Sequence, residues 1–215
     1  MSFKPCKAYH DLWYHDTGDH YDYVATYMDH ILAFSKDPMS IITEIQTDYV
    51  LKDIGTSEYY LGGNFHTTQS ASIAEVNDDV KEQHLSSLWL KEYITTAFSA
   101  ETYIKNSLER LENMIGKTFP TFNTPMAEGA HPEIVDSPIL DAMDHAKYRS
   151  LVGCANWLLT LGRFDIAYAT NSFSRFNMQP RQGHLNGMVR VFGYLKKFPK
   201  GKIMIDPTYP DHASF

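Results

Sequence analysis

A chain of 215 residues with 43% hydrophobic content can bury one large core or two small ones, and no stretch of it approaches the roughly 18 apolar residues of a membrane span. Residues 1–16 lack the continuous apolar run of a secretory signal, and Cys6 and Cys154 stand far apart with no metal-type spacing, so the expectation is an intracellular protein with reduced thiols and no membrane partner. The net charge of -7 is unevenly divided: residues 1–145 carry 9 Lys/Arg against 23 Asp/Glu, and residues 146–215 carry 10 against 3. A basic end on an acidic body points to a polyanion, because phosphate binding needs local positive charge, although a solvated helical surface has the same composition.

The first 20 residues contain Trp13, Tyr14 and a five-residue recurrence of His10, His15 and His20 among aspartates. That spacing puts the three rings on no common helical face and alternates them on a strand, which argues against a metal site. Tyr21, Tyr23, Val24 and Tyr27, then Ile31, Leu32 and Phe34, have the aromatic and β-branched content of two strands around a tight turn at Asp29-His30. Asp29 is then either a carboxylate held at a hairpin tip, as a metal ligand must be, or simply a turn former. Asp37-Pro38 is a cap and first-turn pair opening an amphipathic helix over 38–50. Residues 58–65 read as a strand whose glycine pair, Gly62-Gly63, either admits another backbone or a ligand or marks a bulge. Residues 66–87 are polar, acidic and without period, the pattern of a mobile insertion, and 88–97 return to strand character as the partner of 58–65.

Ser99 caps a helix that ends at Gly116, with Ile104, Leu108, Leu111 and Ile115 on one face. Residues 117–144 hold four of the ten prolines in an acidic setting, which predicts a linker or extended crossing segment and a boundary. Three helical patterns follow in 145–200, with short loops that imply a small bundle, and GKIMIDP at 201–207 can form one more strand. The fold class is therefore α+β: an antiparallel sheet with packed helices over 1–116, the segment 117–144, a basic three-helix bundle over 145–200 and a tail over 201–215.

The motifs then fall in a recognisable order. Tyr27-Met28-Asp29-His30-Ile31-Leu32 is followed by Lys52-Asp53-Ile54-Gly55, Tyr60-Leu61-Gly62 and Thr124-Pro125. After these come Tyr148-Arg149-Ser150-Leu151-Val152-Gly153, Gly162-Arg163-Phe164-Asp165-Ile166-Ala167-Tyr168-Ala169, Ser174-Arg175-Phe176, Pro180, His184 and Tyr194-Leu195. From about residue 3 to 205 the series resembles the reverse transcriptase of copia-type (Pseudoviridae) retrotransposons, whose hairpin reads Tyr-x-Asp-Asp.

The resemblance implies that 1–116 is the carboxy-terminal part of a polymerase palm and that 145–200 is the thumb and connection region. It implies that the tail leads toward a ribonuclease H segment the chain does not include. Asp29 would be the surviving catalytic, magnesium-binding aspartate, with His30 standing where the family has its second one. Tyr27, Met28, Leu61 and Gly62 would lie along the primer, and Arg149, Arg163, Arg175, Arg190, Lys196 and Lys197 would meet the phosphates of an RNA-DNA or DNA primer-template duplex. Two magnesium ions serve such enzymes by stabilising the attacking and leaving oxygens. The strand carrying the other catalytic aspartate, and the fingers, are expected upstream of residue 1. The expectation is thus a polyprotein fragment of an RNA-directed DNA polymerase that does not polymerise alone. The alternatives are a non-catalytic nucleic-acid-binding or interaction module, or a degenerate transposon remnant.

Overall fold

Alternating aromatic and β-branched residues in the first 35 positions pair into an antiparallel meander. In the computed structural model, which describes residues 2–52, 54–56, 58–72 and 91–205, the strands β1 (Lys4–Pro5), β2 (Leu12–Asp16), β3 (Tyr21–Tyr27) and β4 (His30–Phe34) form a sheet in the order β1-β2-β3-β4. They belong to a unit that runs to Tyr60 and also holds α1 (Pro38–Ile45) and the two-residue β5 (Tyr59–Tyr60). Among its described residues the buried apolar ones are Val24, Leu32 and Ile41. Asp22 is buried beside them, and its carboxylate oxygens meet His15 Nδ1 at 3.5 Å and His20 Nε2 at 3.2 Å. Two of the three periodic histidines are thus ion-pair partners of one aspartate across the β2–β3 turn. On the same turn Lys36, Thr17 and His20 bond the exposed Asp19 and hold its carboxyl well below the usual carboxylate range.

The hairpin is displaced by one residue from its expected position. Tyr27 pairs with His30, so the turn residues are Met28 and Asp29, and His30 begins β4. Met28, not an Asp or Asn, takes the left-handed backbone, with φ 52°, at the position where a type II′ turn demands it. Its side chain is 91% exposed and contributes no burial. Met28→Gly should therefore raise stability by about 0.5 kcal/mol, since relief of roughly 1–2 kcal/mol of left-handed strain outweighs the added glycine entropy of about 0.5–1. Urea titration with hydrogen exchange on the β3 and β4 amides measures it.

Helix α1 is capped as expected, by Asp37 Oδ1 accepting from Ser40 N at 3.3 Å, but it stops at Ile45 rather than residue 50. Thr47 Oγ1 donates to Glu44 O and the amides of Thr47 and Asp48 bond i−3 carbonyls, closing the helix in tight turns. Tyr49, which the periodicity placed on the buried face, is exposed.

The second unit, Leu61–Asp206, contains β6 (Gly63–Ser72), β7 (Lys91–Ser99), α2 (Glu101–Ile115), α3 (Ala142–Thr160), α4 (Ala167–Ser174), α5 (Gln182–Lys197) and β8 (Lys202–Ile205). The long hairpin is present: β6 and β7 pair from Asn64↔Ser99 to Ser72↔Lys91, and the tail strand β8 adds to β7. Residues 66–72, assigned above to the insertion, belong to β6; the remainder of that insertion and the tail from 206 lie outside the described residues. The glycine pair admits neither a second chain nor a ligand at Gly63, because a Cβ there would overlap the Phe98 ring of β7.

Helix α2 packs against α3 and α5, so the bundle has four helices instead of three. Ser99 serves it from the last position of β7, its Oγ accepting from Glu101 N, with Ala100 as the cap residue, and Gly116 ends it in the left-handed conformation. Ile104 and Leu111 of α2 meet Tyr148, Leu151 and Leu158 of α3, Phe173 of α4 and Phe192 of α5 in one core. Helix α3 starts at Ala142, three residues before the expected start, because Asp141 Oδ1 caps Asp144 N at 2.8 Å. Residues 117–141, which hold one short 3-10 turn and no α-helix, pack into this unit: Phe119 and Pro132 are buried, and Ile139 bridges to Arg181. Two antiparallel sheets and five α-helices among the described residues make the chain α+β.

Candidate nucleic-acid interface

At the hairpin tip Asp29 is 89% exposed and its Oδ1 lies 3.7 Å from His30 Nε2. Tyr27 pairs across from His30, whose ring stands edge-on to Tyr60. Magnesium wants an octahedron of hard oxygens, and one carboxylate beside one imidazole does not supply it. Among the described residues no cluster of three or more His, Cys, Asp or Glu side chains has metal-holding geometry. Asp29 and His30 therefore do not fit the two-metal site, and no catalytic step follows from them. Of the strand candidates, Leu61 is half-buried and Gly62 is buried against Tyr103, Trp157 and Leu161, both in left-handed backbone.

The six candidate phosphate contacts divide into two groups. Arg163 is 2% exposed and grips Asp165 with a two-bond fork, Nε to Oδ1 at 2.9 Å and Nη2 to Oδ2 at 2.7 Å, inside the fold. Arg190 donates to Thr124 Oγ1 at 2.9 Å with its guanidinium 4.3 Å over the Phe122 ring. Lys196 donates to Glu112 Oε1 at 2.8 Å and to Phe119 O, and Lys197 to Asn123 Oδ1. Burial alone would raise the Glu112 carboxyl, but the Lys196 and Phe119 N–H bonds outweigh it and hold it low. Three basic side chains of α5 thus fasten the extended strap 119–124, and Gly193 gives it room, since a Cβ there would collide with Pro120 O and Phe122. Arg149 and Arg175 remain exposed, with no hydrogen bond or ion pair to the described residues.

One candidate escaped the sequence reading. Tyr168 is 76% exposed on α4, seven residues before Arg175 and off the buried stripe of Ile166, Ala169 and Phe173. Its position between two stripe residues in Asp165-Ile166-Ala167-Tyr168-Ala169 was the available signal, since an outward aromatic has no core to serve.

Other motif residues are architectural. The Tyr148 hydroxyl, fully buried, donates to Phe173 O at 2.6 Å, and burial pushes its ionisation far up. Buried His184 accepts from Arg181 N on Nδ1 at 3.0 Å, and its Nε2–H donates to Pro132 O at 2.9 Å, while the ring stacks on Phe176 with centroids 4.1 Å apart. The amide partner on one nitrogen and the carbonyl on the other fix the tautomer.

Over 189 residues, 86% of the chain, it is 30% identical to a transposon Ty5-1 protein of Saccharomyces cerevisiae. Over 186 residues, 85% of the chain, it is 27% identical to a retrovirus-related Pol polyprotein from transposon RE1 of Arabidopsis thaliana. The chain is a relative of copia-type retrotransposon proteins. The match covers 52% of the yeast protein and 11% of the Arabidopsis polyprotein, so this retrotransposon relative spans about half or less of the proteins it matches. No family model and no solved structure matches it. Among the described residues of this copia-type relative, no helix is long and apolar enough to cross a membrane.

Proposed function

We propose that this chain is the nucleic-acid-holding part of a retrotransposon RNA-directed DNA polymerase, comprising carboxy-terminal palm and thumb/connection segments, which grips an RNA-DNA or DNA primer-template without polymerising by itself. The observation that carries the reading is the pair of exposed guanidinium groups, Arg149 and Arg175, without a hydrogen bond or ion pair to the described residues, on a helical unit related to part of a Pol polyprotein. Arginine without an internal partner is free to meet phosphate, and backbone contacts of this kind hold a duplex without reading its sequence. The basic residues of α5 act indirectly, by fixing the strap that shapes the unit. The hairpin contributes one carboxylate, too few for metal-assisted phosphoryl transfer. In the polyprotein, the remaining ligands would come from other segments.

The test is a fluorescence-anisotropy titration of an RNA-DNA hybrid across salt. Each phosphate contact adds about 1 to the slope of log affinity against log salt, so Arg149→Ala with Arg175→Ala should lower that slope by about 2. Asp29→Asn should leave it unchanged. No binding of the hybrid at low salt would contradict the reading.

A further inference from the structure

Tyr168, Ser172 and Arg175 follow one another at i, i+4 and i+7 and form one outward stripe of α4 and its C-cap. Facing it is the short 3-10 turn Pro132–Ile134, and the two enclose an open cleft of about 280 Å³ lined by these three side chains together with His131, Pro132 and Glu133. The cleft floor is firm, because His184 bonds Pro132 O from below and stacks on Phe176 at the cleft's edge. Its polar groups have distinct chemistries. Glu133 is kept ionised, first by a hydrogen bond from its own backbone and then by His131 Nδ1 at 2.9 Å, so it presents an acceptor. Ser172 presents a hydroxyl, Arg175 an exposed cation whose charge also acts on Glu133, and Tyr168 an aromatic face left in water.

We propose that this cleft takes an unpaired nucleobase and its adjoining phosphate from a single strand. The base stacks on Tyr168, Glu133 accepts from an exocyclic amino N–H on the base edge, and Arg175 meets the phosphate. A base inside a duplex has both faces stacked and its edge paired, so only a single-stranded overhang or template fits. The carboxylate acceptor favours cytosine, whose exocyclic amine donates, over thymine, which offers a carbonyl there. The inference rests on the nucleic-acid reading above and adds to it a second, single-strand subsite.

The experiment compares labelled oligo(dC), oligo(dT) and an RNA-DNA hybrid by anisotropy at one fixed salt, using the full chain. Tyr168→Ala should weaken oligo(dC) binding roughly tenfold or more, and Tyr168→Phe should restore it, with hybrid affinity changed less than twofold. Glu133→Gln should erase the preference for oligo(dC) over oligo(dT). Hybrid binding with no effect of Tyr168→Ala on oligo(dC) would overturn the cleft and leave the reading of the chain intact. Binding of neither ligand at low salt would overturn both. Because Tyr168 is exposed, its substitution leaves the core in place, and an unchanged unfolding midpoint checks this.

Discussion

Asp165→Asn should lower the stability of the second unit by about 2 kcal/mol, less than the roughly 3–5 that breaking a fully buried ion pair costs, because the Asp165 side chain is 37% exposed and water screens it. Arg163 is the reason. Its guanidinium is buried, its Nη1 has no hydrogen-bond partner among the described residues, and its two strong bonds, from Nε and Nη2, both end on Asp165, with the Tyr194 hydroxyl close by. An amide in place of the carboxylate leaves that charge uncompensated in the interior. Burial by itself would raise the Asp165 carboxyl, but the hydrogen bonds and charge of Arg163, with help from Tyr194, outweigh it and hold it below the ordinary range. A depressed folded value means the stabilisation is present above the ordinary carboxylate value of about 4 and is lost as pH falls through the lower folded one. Urea midpoints between pH 7 and pH 3 should therefore fall more steeply for the natural chain than for Asp165→Asn. A double substitution, Arg163→Met with Asp165→Ala, should recover part of the loss, since removing both charges leaves nothing unpaired.

His184→Leu should cost a similar amount, about 2 kcal/mol, although it exchanges a polar side chain for an apolar one of comparable size. The imidazole satisfies two backbone groups at once, the Arg181 amide and the Pro132 carbonyl. In the variant the Arg181 amide loses its partner, at roughly 1–3 kcal/mol, the Pro132 carbonyl is left with only the longer 3.4 Å bond from Val135 N, and leucine returns only apolar contact. Since Pro132 belongs to the segment 117–141 and Arg181 to the start of α5, the variant should also release residues 131–134. Faster hydrogen exchange at Ile134 and Val135, whose amides bond within that turn, would report it. Rates like those of the natural chain would contradict the assignment of His184 as the tie between the two elements.

The strand pattern of the first 35 residues was legible because aromatic and β-branched residues alternate there, and α2 because a clean apolar stripe runs into a glycine. The turn slipped by one because propensity favours Asp29 over Met28 in left-handed backbone, whereas the pairing of Tyr27 with His30 decides the register. The segment 117–144 looked like a linker for a physical reason: its anchors, Phe119 and Pro132, are widely spaced and carry no period, while its prolines and acids are what a solvated segment shows. Charge misled most at the candidate interface. A sum over 146–215 counts Lys196 as a surface cation, but its partner Glu112 lies 84 residues earlier, and Arg163 is neutralised only two residues away by geometry that spacing does not reveal. What sequence located well was the motif order, and much of that order encodes packing: Tyr148, Arg163 with Asp165, and His184 hold the bundle together.

On the proposed function, the chain holds a primer-template and adds nothing to it. Primer extension on an RNA template by the purified chain, with magnesium or manganese and all four nucleotides, puts that directly. No template-dependent product above an Asp29→Asn control is the predicted result, on a duplex whose binding the anisotropy titration has first established. Extension well above that control would show a working site at the Tyr27–His30 hairpin and contradict it.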